Sequence, residues 1–302
     1  MTEERVAESA TGSPKDLVPG PAPKLAPFRF NGAVAVVTGA AGGMGEQLAY
    51  GLALRGSHLV LVDRDPDRLA AVAGTVARRR PETRVRTFVA DLADAGAVTR
   101  LAADVLAAEP VLNLLINNAG VALAGTFEET SAEEFDWVLA VNFAAPVALT
   151  RALLPRLRES AGSHIVNTSS LFGLIAPPGQ TAYSASKFAL RGFTEALRHE
   201  LAGEVGVTSV HPGGIKTRIA LDARVAARAD QAQTAKAMRA FNKVLTYPAD
   251  RAAGRIIEGV RHRRGRVLIG MSARIPDGLA RLFPATYWEQ FVRLNTRAGR
   301  RR

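Results

Sequence analysis

Val-Ala-Val-Val-Thr-Gly-Ala-Ala-Gly-Gly-Met-Gly, residues 34–45, joins a run of β-branched and small apolar residues to a glycine-rich turn. The apolar run is typical of a buried strand. The residues that follow, 46–54, place their apolar side chains at helical spacing. The stretch therefore predicts a strand, a tight turn and a helix in immediate succession.

The spacing of the glycines in this turn has a physical meaning. Gly39, Gly43 and Gly45 let the backbone turn tightly, let a pyrophosphate approach the helix N-terminus and let the helix pack closely on the strand. Met44 lies between the last two and belongs to the same candidate site. Glycine clusters also occur in ordinary turns, but a strand before the cluster and a helix after it favour dinucleotide binding.

A carboxylate follows at the position where a ribose-binding acid is expected. The next predicted strand, 58–62, ends at Asp63, which comes 18 residues after Gly45. Asp63 would accept hydrogen bonds from an adenosine ribose and repel a 2′-phosphate, which favours NAD. Arg64 keeps NADP open, because a guanidinium here could attract that phosphate. Asp63 could also belong to a helix cap with Asp65 and Pro66.

Strands and helices continue to alternate beyond this unit. A helix is predicted over 67–80, a strand over 85–90 ending at Asp91 and Leu92, a helix to residue 108 and a strand over 112–116. This rhythm predicts an α/β protein with a doubly wound parallel sheet, a three-layer αβα Rossmann fold. Ligands of such sheets bind at the carboxyl ends of the strands, where the candidate residues fall.

The chain divides into one large domain and two extensions. Residues 1–30 are rich in Pro, Ala, Gly and charge and predict a mobile tail. Residues 31–270 predict the Rossmann-fold domain, with 218–247 as a helical lid over the substrate. Residues 271–302 predict a basic amphipathic extension, which either contacts a membrane surface or packs on its own domain or a neighbouring subunit.

The positive charge is concentrated in the C-terminal third. Residues 216–302 hold 20 Lys or Arg against 6 Asp or Glu, so the first 215 residues are net −3 within a total of +11. This charge suits an anionic partner or is a solvated arginine-rich surface. The basic runs lack interleaved aromatic residues, which argues against nucleic acid.

The composition also bears on disulfides, metal sites and membrane-spanning segments. The chain has no cysteine, which excludes disulfides and thiol chemistry and fits a cytoplasmic protein. No histidine pair has metal-ligand spacing, so no metal is expected. No window reads as long and apolar enough to span a bilayer.

A tyrosine and a lysine stand four residues apart at Tyr183 and Lys187. In a helix their side chains lie one turn apart on the same face. A nearby ammonium favours the phenolate and lowers the pKa of the phenol. The pair thus predicts a proton donor and acceptor for interconverting a carbonyl and an alcohol. Such pairs also occur on ordinary helix surfaces, so the upstream motifs decide the interpretation.

Two upstream residues complete a candidate catalytic set. Ser170 follows a predicted strand at 163–168 and comes 13 residues before Tyr183, where a hydroxyl could hold the substrate oxygen. Ser131 and Glu134 predict a capping box that opens a long helix, and Asn142 lies on the apolar stripe of that helix. A buried asparagine needs partners, either within the core or through a water near the active site.

Two further turns supply candidate cofactor contacts. Asn117 to Gly120 close the strand at 112–116, where Asn118 can tie strand ends or bond a ribose and the Ala119–Gly120 pair leaves room. A strand at 207–211 leads into the turn Pro212–Gly213, which would bring Ile215 and Thr217 against a nicotinamide.

In this order the motifs resemble those of the short-chain dehydrogenase/reductase family, over about residues 31–217. The resemblance implies that Tyr183 is the general acid/base, that Lys187 lowers its pKa and holds the nicotinamide ribose, and that Ser170 positions the substrate. It further implies a water held by Asn142, with the glycine turn at the pyrophosphate. Asp63 would then bind the adenosine ribose, Asp91 and Leu92 the adenine, and Ile215 and Thr217 the carboxamide. Such proteins pair long helices into dimers or tetramers, here the helices of Asn142 and Tyr183.

The substrate and one alternative function stay open. Apolar residues after the strand ends favour a lipophilic alcohol, aldehyde or ketone, although they could equally be loop packing. These residues are Val121, Leu123, Leu171, Phe172, Leu174 and Ile175. The alternative is a dinucleotide-binding sensor or scaffold whose basic C-terminal region binds nucleic acid, membrane or protein, although a pure binder would not require the complete Ser/Tyr/Lys/Asn set.

Overall fold

A computed structural model describes residues 23–243 and 245–299. Its strands are β1 (Val34–Thr38), β2 (His58–Asp63), β3 (Val85–Val89), β4 (Leu114–Asn117), β5 (Leu123–Ala124), β6 (His164–Thr168), β7 (Gly206–Pro212), β8 (Arg224–Val225) and β9 (Arg266–Ile269). Its helices are α1 (Gly43–Ala53), α2 (Pro66–Arg79), α3 (Ala95–Ala108), α4 (Ala132–Leu139), α5 (Ala145–Glu159), α6 (Thr181–Glu200), α7 (Gln231–Lys243), α8 (Ala249–Arg261), α9 (Met271–Leu282) and α10 (Tyr287–Gly299).

Helices α2 and α4 begin where a side chain satisfies a free N–H group of the first turn. Asp65 caps α2 by accepting a hydrogen bond from the N–H of Arg68, and Pro66 stands in its first turn. Ser131 and Glu134 form the predicted capping box of α4, with both reciprocal hydrogen bonds present. These local signals explain why the helix starts could be predicted.

In the described part of the chain, seven strands form one parallel sheet in the order β3-β2-β1-β4-β6-β7-β9. The order reverses between β1 and β4, so the connections leave that point in opposite directions and open a crevice at the carboxyl ends of these strands. The predicted doubly wound α/β fold is confirmed.

The sheet is buried on both faces, as its apolar strands require. Alternate residues of β1 enter opposite layers: Ala35 and Val37 pack with α1, α2 and α8, while Val34 and Val36 pack with α3, α5 and α6. This arrangement is the three-layer αβα sandwich.

The predicted long helix is interrupted where Asn142 lies. A π-helical turn, Ala140–Ala144, joins α4 to α5. The run Ala132–Glu159 contains an 18-residue window with a mean hydropathy of 1.6 and could cross a membrane by length and composition alone, so the expectation that no window would be long and apolar enough was wrong. Its apolar residues Leu149, Leu153 and Leu157 are buried against the sheet, which accounts for the composition.

Both predicted extensions contribute to the folded domain. The expected mobile tail runs to residue 30, but Phe28 and Phe30 are buried in the core, because their rings pack on each other with centroids 4.9 Å apart and join the α1/α8 layer. The packed chain thus begins before residue 31, and residues 1–22 of the predicted tail lie outside the described residues. Within 271–302, α9 buries Ala273 and Pro276; residues 300–302 lie outside the described residues.

The predicted lid, 218–247, is only partly helical. It contains a short 3₁₀ turn at Arg218–Ala220, then β8 and α7. β8 pairs with β5 in a two-stranded parallel sheet, and the guanidinium of Arg224 lies 3.8 Å above the ring of Trp137. The segment is therefore fastened to α4 rather than only resting on the domain.

Candidate active site

A cleft of about 270 Å³ opens at the carboxyl ends of β1 and β4. It brings together most of the candidate cofactor residues, which come from five separate parts of the sequence. These are Gly39, Gly43, Met44, Asp63, Arg64, Asp91, Leu92, Asn118, Ala119, Gly120 and Thr217. Their convergence follows from the reversal of strand order, which leaves this edge uncovered by a connection.

The glycine turn has the shape its sequence predicts. Gly39 and Gly43 have φ of 66° and 57°, values that disfavour side chains. A Cβ on Gly45 would lie 1.9 Å from the carbonyl oxygen of Gly39, so Gly45 acts by close packing beneath the turn and does not line the cleft. A Cβ on Gly42 would meet nothing within 4 Å.

This cradle fits an anionic group. Helix α1 has no side-chain cap hydrogen bond, so the N–H groups of its first turn are left for a ligand at the positive end of the helix. The buried Oδ1 of Asn118 also has no hydrogen-bond partner. Open space, free N–H groups and an unsatisfied acceptor are consistent with the diphosphate and ribose of a dinucleotide.

Asp63 is held in a fixed position at the end of β2. Its Oδ2 accepts a hydrogen bond from the N–H of Ala41 at 2.9 Å, and its Oδ1 accepts one from the N–H of Asp65 at 3.2 Å. A carboxylate has about four acceptor positions, so ribose hydroxyls can still bind. The cap alternative holds in part, because Asp63 accepts the N–H of Asp65 and Asp65 itself caps α2; ribose binding by Asp63 stays a prediction.

Polar side chains tie the strand ends together behind the cleft. The Oγ1 of Thr38 accepts hydrogen bonds from the N–H groups of Asn118 and Ala119 at 3.0 and 3.1 Å. Asn117 donates to Asn167 across β4 and β6 at 2.8 Å. These bonds fix the Asn-Asn-Ala-Gly turn against the glycine turn.

Tyr183 and Lys187 lie one turn apart on the buried face of α6, with 8% and 2% of their surfaces exposed. The Nζ of Lys187 donates to the carbonyl of Thr168 at 3.1 Å and lies 5.7 Å from the centre of the Tyr183 ring. Burial lowers the pKa of Lys187 to about 8. The same burial raises the pKa of Tyr183, opposite in direction to the sequence-based expectation, because desolvation of the phenolate dominates and a hydrogen bond with Ser170 opposes it only in part.

Ser170 and Asn142 flank this pair. Ser170 follows β6 and accepts the N–H of Phe172 at 3.1 Å. Asn142 is fully buried; its Oδ1 accepts the N–H of Val121 at 2.8 Å and its amide donates to Ser186 at 3.0 Å. The buried asparagine thus has the core partners that one of the two interpretations required.

Gly120 lies at the point where the lysine and the asparagine converge. A Cβ added to Gly120 would lie 3.1 Å from the Nζ of Lys187 and 3.2 Å from the Oδ1 of Asn142. The two polar atoms therefore border one small space that only a glycine leaves open.

Some predicted residues do not border the cleft. Gly213 packs against Ser272 and the carbonyl of Ile269, and Ile215 is buried beside it, so of the Pro-Gly turn region only Thr217 reaches the cleft. Only some of the residues predicted to form an apolar substrate pocket lie at the cleft or beside Tyr183. Leu123, Leu174 and Ile175 are buried, whereas Val121 lines the cleft and Phe172 packs edge-on against Tyr183 with centroids 6.1 Å apart.

Sequence reasoning missed several cleft residues. Ala41, Gly42, Asp65, Arg68, Ala90, Ala122, Val141, Arg218, Ile219 and Asp222 also line the cleft. Asp65 and Arg68 follow Asp63 closely, so their place could have been expected, but nothing local indicates that Arg218 and Asp222 cross from the lid. Among the described residues, no group of three or more His, Cys, Asp or Glu side chains could hold a metal ion.

Comparison with known proteins gives a consistent result. The family model for the short chain dehydrogenase matches residues 33–228. The SadH protein of Mycobacterium tuberculosis (strain ATCC 25618 / H37Rv) is 40% identical over 261 residues, which cover 85% of this chain and 93% of the relative. Dehydrogenase/reductase SDR family member 7B of Xenopus laevis is 38% identical over 196 residues, 63% of this chain and 61% of the relative.

Solved structures that are similar to this chain include other short chain dehydrogenases. The crystal structure of a short chain dehydrogenase/reductase from Burkholderia phymatum in complex with NAD is similar with a TM-score of 0.76 and 33% identity, covering 85% of this chain and 95% of that chain. A short chain dehydrogenase from Burkholderia cenocepacia J2315 in complex with NADP is similar with a TM-score of 0.69 and 30% identity, covering 82% and 100%.

Fold and cleft together define a Rossmann-type oxidoreductase that uses a nicotinamide dinucleotide. The chain belongs to the short-chain dehydrogenase/reductase family, whose members act on alcohol and carbonyl groups.

Proposed function

We propose that the protein interconverts an alcohol and a carbonyl on a lipophilic substrate, with Tyr183 as the general acid/base. The observation that carries this proposal is the burial of Tyr183 and Lys187 together beside Ser170 and Asn142. When bound, the nicotinamide dinucleotide supplies hydride acceptance or donation. Tyr183, Lys187, Ser170 and Asn142 transfer the proton and hold the substrate and the cofactor in position.

Each side chain has a role that follows from its contacts. Tyr183, un-ionised because burial raises its pKa, gives a proton to the carbonyl oxygen in reduction and takes one in oxidation. Ser170, the hydrogen-bond partner of Tyr183, holds the substrate oxygen next to the phenol. Lys187, anchored on the carbonyl of Thr168, holds the nicotinamide ribose. The space between Lys187 and Asn142 accommodates the water through which the proton is replaced.

NAD is the cofactor we propose, with NADP as the alternative. Asp63 is fixed by two backbone N–H groups and lines the cleft, where a 2′-phosphate would face its charge. Arg64 borders the same cleft and is the residue that could reverse this preference. Arg68 already pairs with Asp65, at 3.2 Å, so its charge is partly neutralised.

The substrate we propose is apolar near its reacting carbon. Phe172 lies edge-on to the Tyr183 ring. Ile219, from the lid, and Val121 line the cleft, and Ile219 is 36% exposed. Apolar walls around a few polar groups are typical of sites for small apolar ligands.

A homodimer or homotetramer is the assembly we propose, through α5 and α6. Phe188 on α6 is 39% exposed, and Phe143 and Phe193 form a partly exposed edge-to-face pair with centroids 6.5 Å apart. Exposed aromatic groups of this kind favour a protein contact. The proposed location is the cytoplasm, with residues 271–302 in contact with a membrane surface.

The proposal is tested by titration and by one substitution. Fluorescence titration should give tighter binding of NADH than of NADPH, and weak binding of both would contradict the enzymatic function. Tyr183→Phe should lower kcat/KM for a secondary alcohol by about 10²–10⁴-fold and leave NADH affinity within about twofold, since the phenol acts on the substrate oxygen. Exclusive turnover of polar polyols would overturn the lipophilic substrate.

A further inference from the structure

Helix α9 turns an apolar stripe towards solvent. Met271, Ile275 and Leu282 are 61%, 55% and 76% exposed. Their spacings of four and seven residues place them on one line along the helix, opposite the buried Ala273 and Pro276. Exposed apolar side chains aligned on one helix face are typical of a surface that binds a partner.

Positive charge borders this stripe. Arg274 and Arg281, two turns apart, form an exposed row directly beside it. The acidic residue of the helix, Asp277, lies on the buried side, where Arg266 binds it bidentately and the Nε of exposed Arg281 also reaches it at 3.3 Å. Residues 271–302 hold seven arginines against two acidic residues, net +5. A symmetric contact between two copies would bring these arginines together, so an anionic partner fits better.

The helices that carry and follow the stripe are hydrogen-bonded to two loops near the candidate active site. At the start of α9, the Oγ of Ser272 accepts the N–H of Gly214, in the turn that follows β7, at 3.0 Å. At the start of α10, the hydroxyl of Tyr287 accepts the N–H of Ala176 at 3.0 Å. Ala176 belongs to the loop between Ser170 and Tyr183. The α9–α10 pair is therefore hydrogen-bonded to the turn after β7 and to the loop between Ser170 and Tyr183.

We propose that the stripe Met271, Ile275 and Leu282, flanked by Arg274 and Arg281, docks on an anionic lipid bilayer. The lipophilic substrate then enters the cleft directly from that bilayer. The inference rests on the proposed function for the identity of the substrate and for the membrane contact of residues 271–302, and it adds the residues that make this contact and the charge of the bilayer. An apolar stripe that dips into the headgroup region beside basic side chains is the arrangement by which helices bind at such surfaces.

Vesicle flotation tests the docking. The fraction of wild-type protein that floats should be at least about tenfold larger with vesicles of phosphatidylcholine and phosphatidylglycerol than with phosphatidylcholine alone. Adding 0.5 M salt should weaken the binding, because salt shortens the distance over which charges attract, to ~3 Å at 1 M. Ile275→Ser/Leu282→Ser should lose about tenfold of this binding. The matched control, Leu54→Ser/Val111→Ser, removes two side chains that are 64% and 47% exposed on other surfaces and should float like wild type.

Activity separates this inference from the proposed function. Both double variants should oxidise a water-soluble short secondary alcohol like wild type, whereas Ile275→Ser/Leu282→Ser should lose turnover of a long-chain alcohol dissolved in anionic vesicles. Equal flotation of that variant and wild type, or no flotation of wild type, overturns the docking surface. Loss of oligomer in that variant without flotation of wild type would identify the stripe as a contact between copies instead. Flotation without any turnover would leave the docking intact and refute the proposed function.

Discussion

Burial moves the two central titratable groups of the site in opposite directions. Desolvation raises the pKa of Tyr183 and lowers the pKa of Lys187 to about 8. Near neutral pH the phenol therefore keeps its proton and the ammonium keeps most of its charge. In the mechanism we propose, this protonation state suits carbonyl reduction, and we expect alcohol oxidation to need a higher pH.

A pH profile should report the titration of Lys187. We expect kcat/KM for carbonyl reduction to be level up to about pH 8 and to fall above it, because the ammonium that holds the cofactor ribose loses its proton there. Lys187→Arg keeps its charge at higher pH and should move the fall upwards, whereas Lys216→Arg, at an exposed position, should not. A level profile to pH 10 would contradict the assignment.

Gly120 tests the space between the lysine and the asparagine. Gly120→Ala places a methyl group against the Nζ of Lys187 and the Oδ1 of Asn142, so it should displace the proposed water. We expect kcat to fall by about tenfold, or roughly 1.4 kcal/mol of barrier. Gly254→Ala, where an added Cβ meets nothing within 4 Å, is the control. A change in kcat of less than about twofold would argue against a relay at this place.

At the scale of elements, local signals were enough for most of the fold but not for its irregular parts. The glycine turn and the capping box of Ser131 depend on neighbouring residues, so the sequence shows them. The π-helical turn at Ala140–Ala144 contains Asn142, which is hydrogen-bonded to Val121, 21 residues away. The pairing of β5 with β8 joins segments about a hundred residues apart, and no local pattern encodes such a contact.

That pairing fastens the predicted lid, residues 218–247, and can be weakened at one aromatic ring. Trp137→Leu removes the surface on which Arg224 stacks at 3.8 Å, a contact worth about 0.5–2 kcal/mol. We expect trypsin to cut the segment 218–247 several-fold faster, and KM for the substrate to rise more than kcat falls. Phe127→Leu, at a neighbouring exposed ring, is the control. Unchanged cleavage would show that β5 and β8 hold the lid without the stacked pair.

Over the whole molecule, the candidate cleft and a buried cluster of basic side chains lie at opposite ends of the strands. The cleft occupies the carboxyl ends of the strands, whereas a buried basic cluster lies at the start of β6. There His164 contacts Thr208 at 2.8 Å and Arg263 at 3.0 Å. Arg263 also donates to the carbonyl of Ala26 at 2.9 Å and lies over the ring of Phe28. The predicted tail boundary at residue 30 does not hold for Phe28 and Phe30, because the residues that bury them are far away in the sequence.

This cluster should make the protein sensitive to acid. Burial and the charge of Arg263 lower the pKa of His164 from 6.5 to about 3. Between these two pH values His164 stays neutral in the folded state but takes up a proton in the unfolded chain. The stability that His164 contributes is therefore full above about pH 6.5 and is lost as the pH falls towards 3.

The size of this effect can be measured against matched variants. His164 should account for about 3 kcal/mol of the loss in unfolding free energy between pH 7 and pH 4. Urea unfolding at both values should give a loss smaller by about that amount in His164→Gln, whatever its stability at pH 7, because the glutamine amide can accept from Arg263 without titrating. His199→Gln, at an exposed site on α6, should lose as much stability as wild type. An equal loss in all three proteins would mean that carboxylates elsewhere, such as Asp277, whose pKa Arg266 lowers against the opposing effect of burial, govern the acid transition.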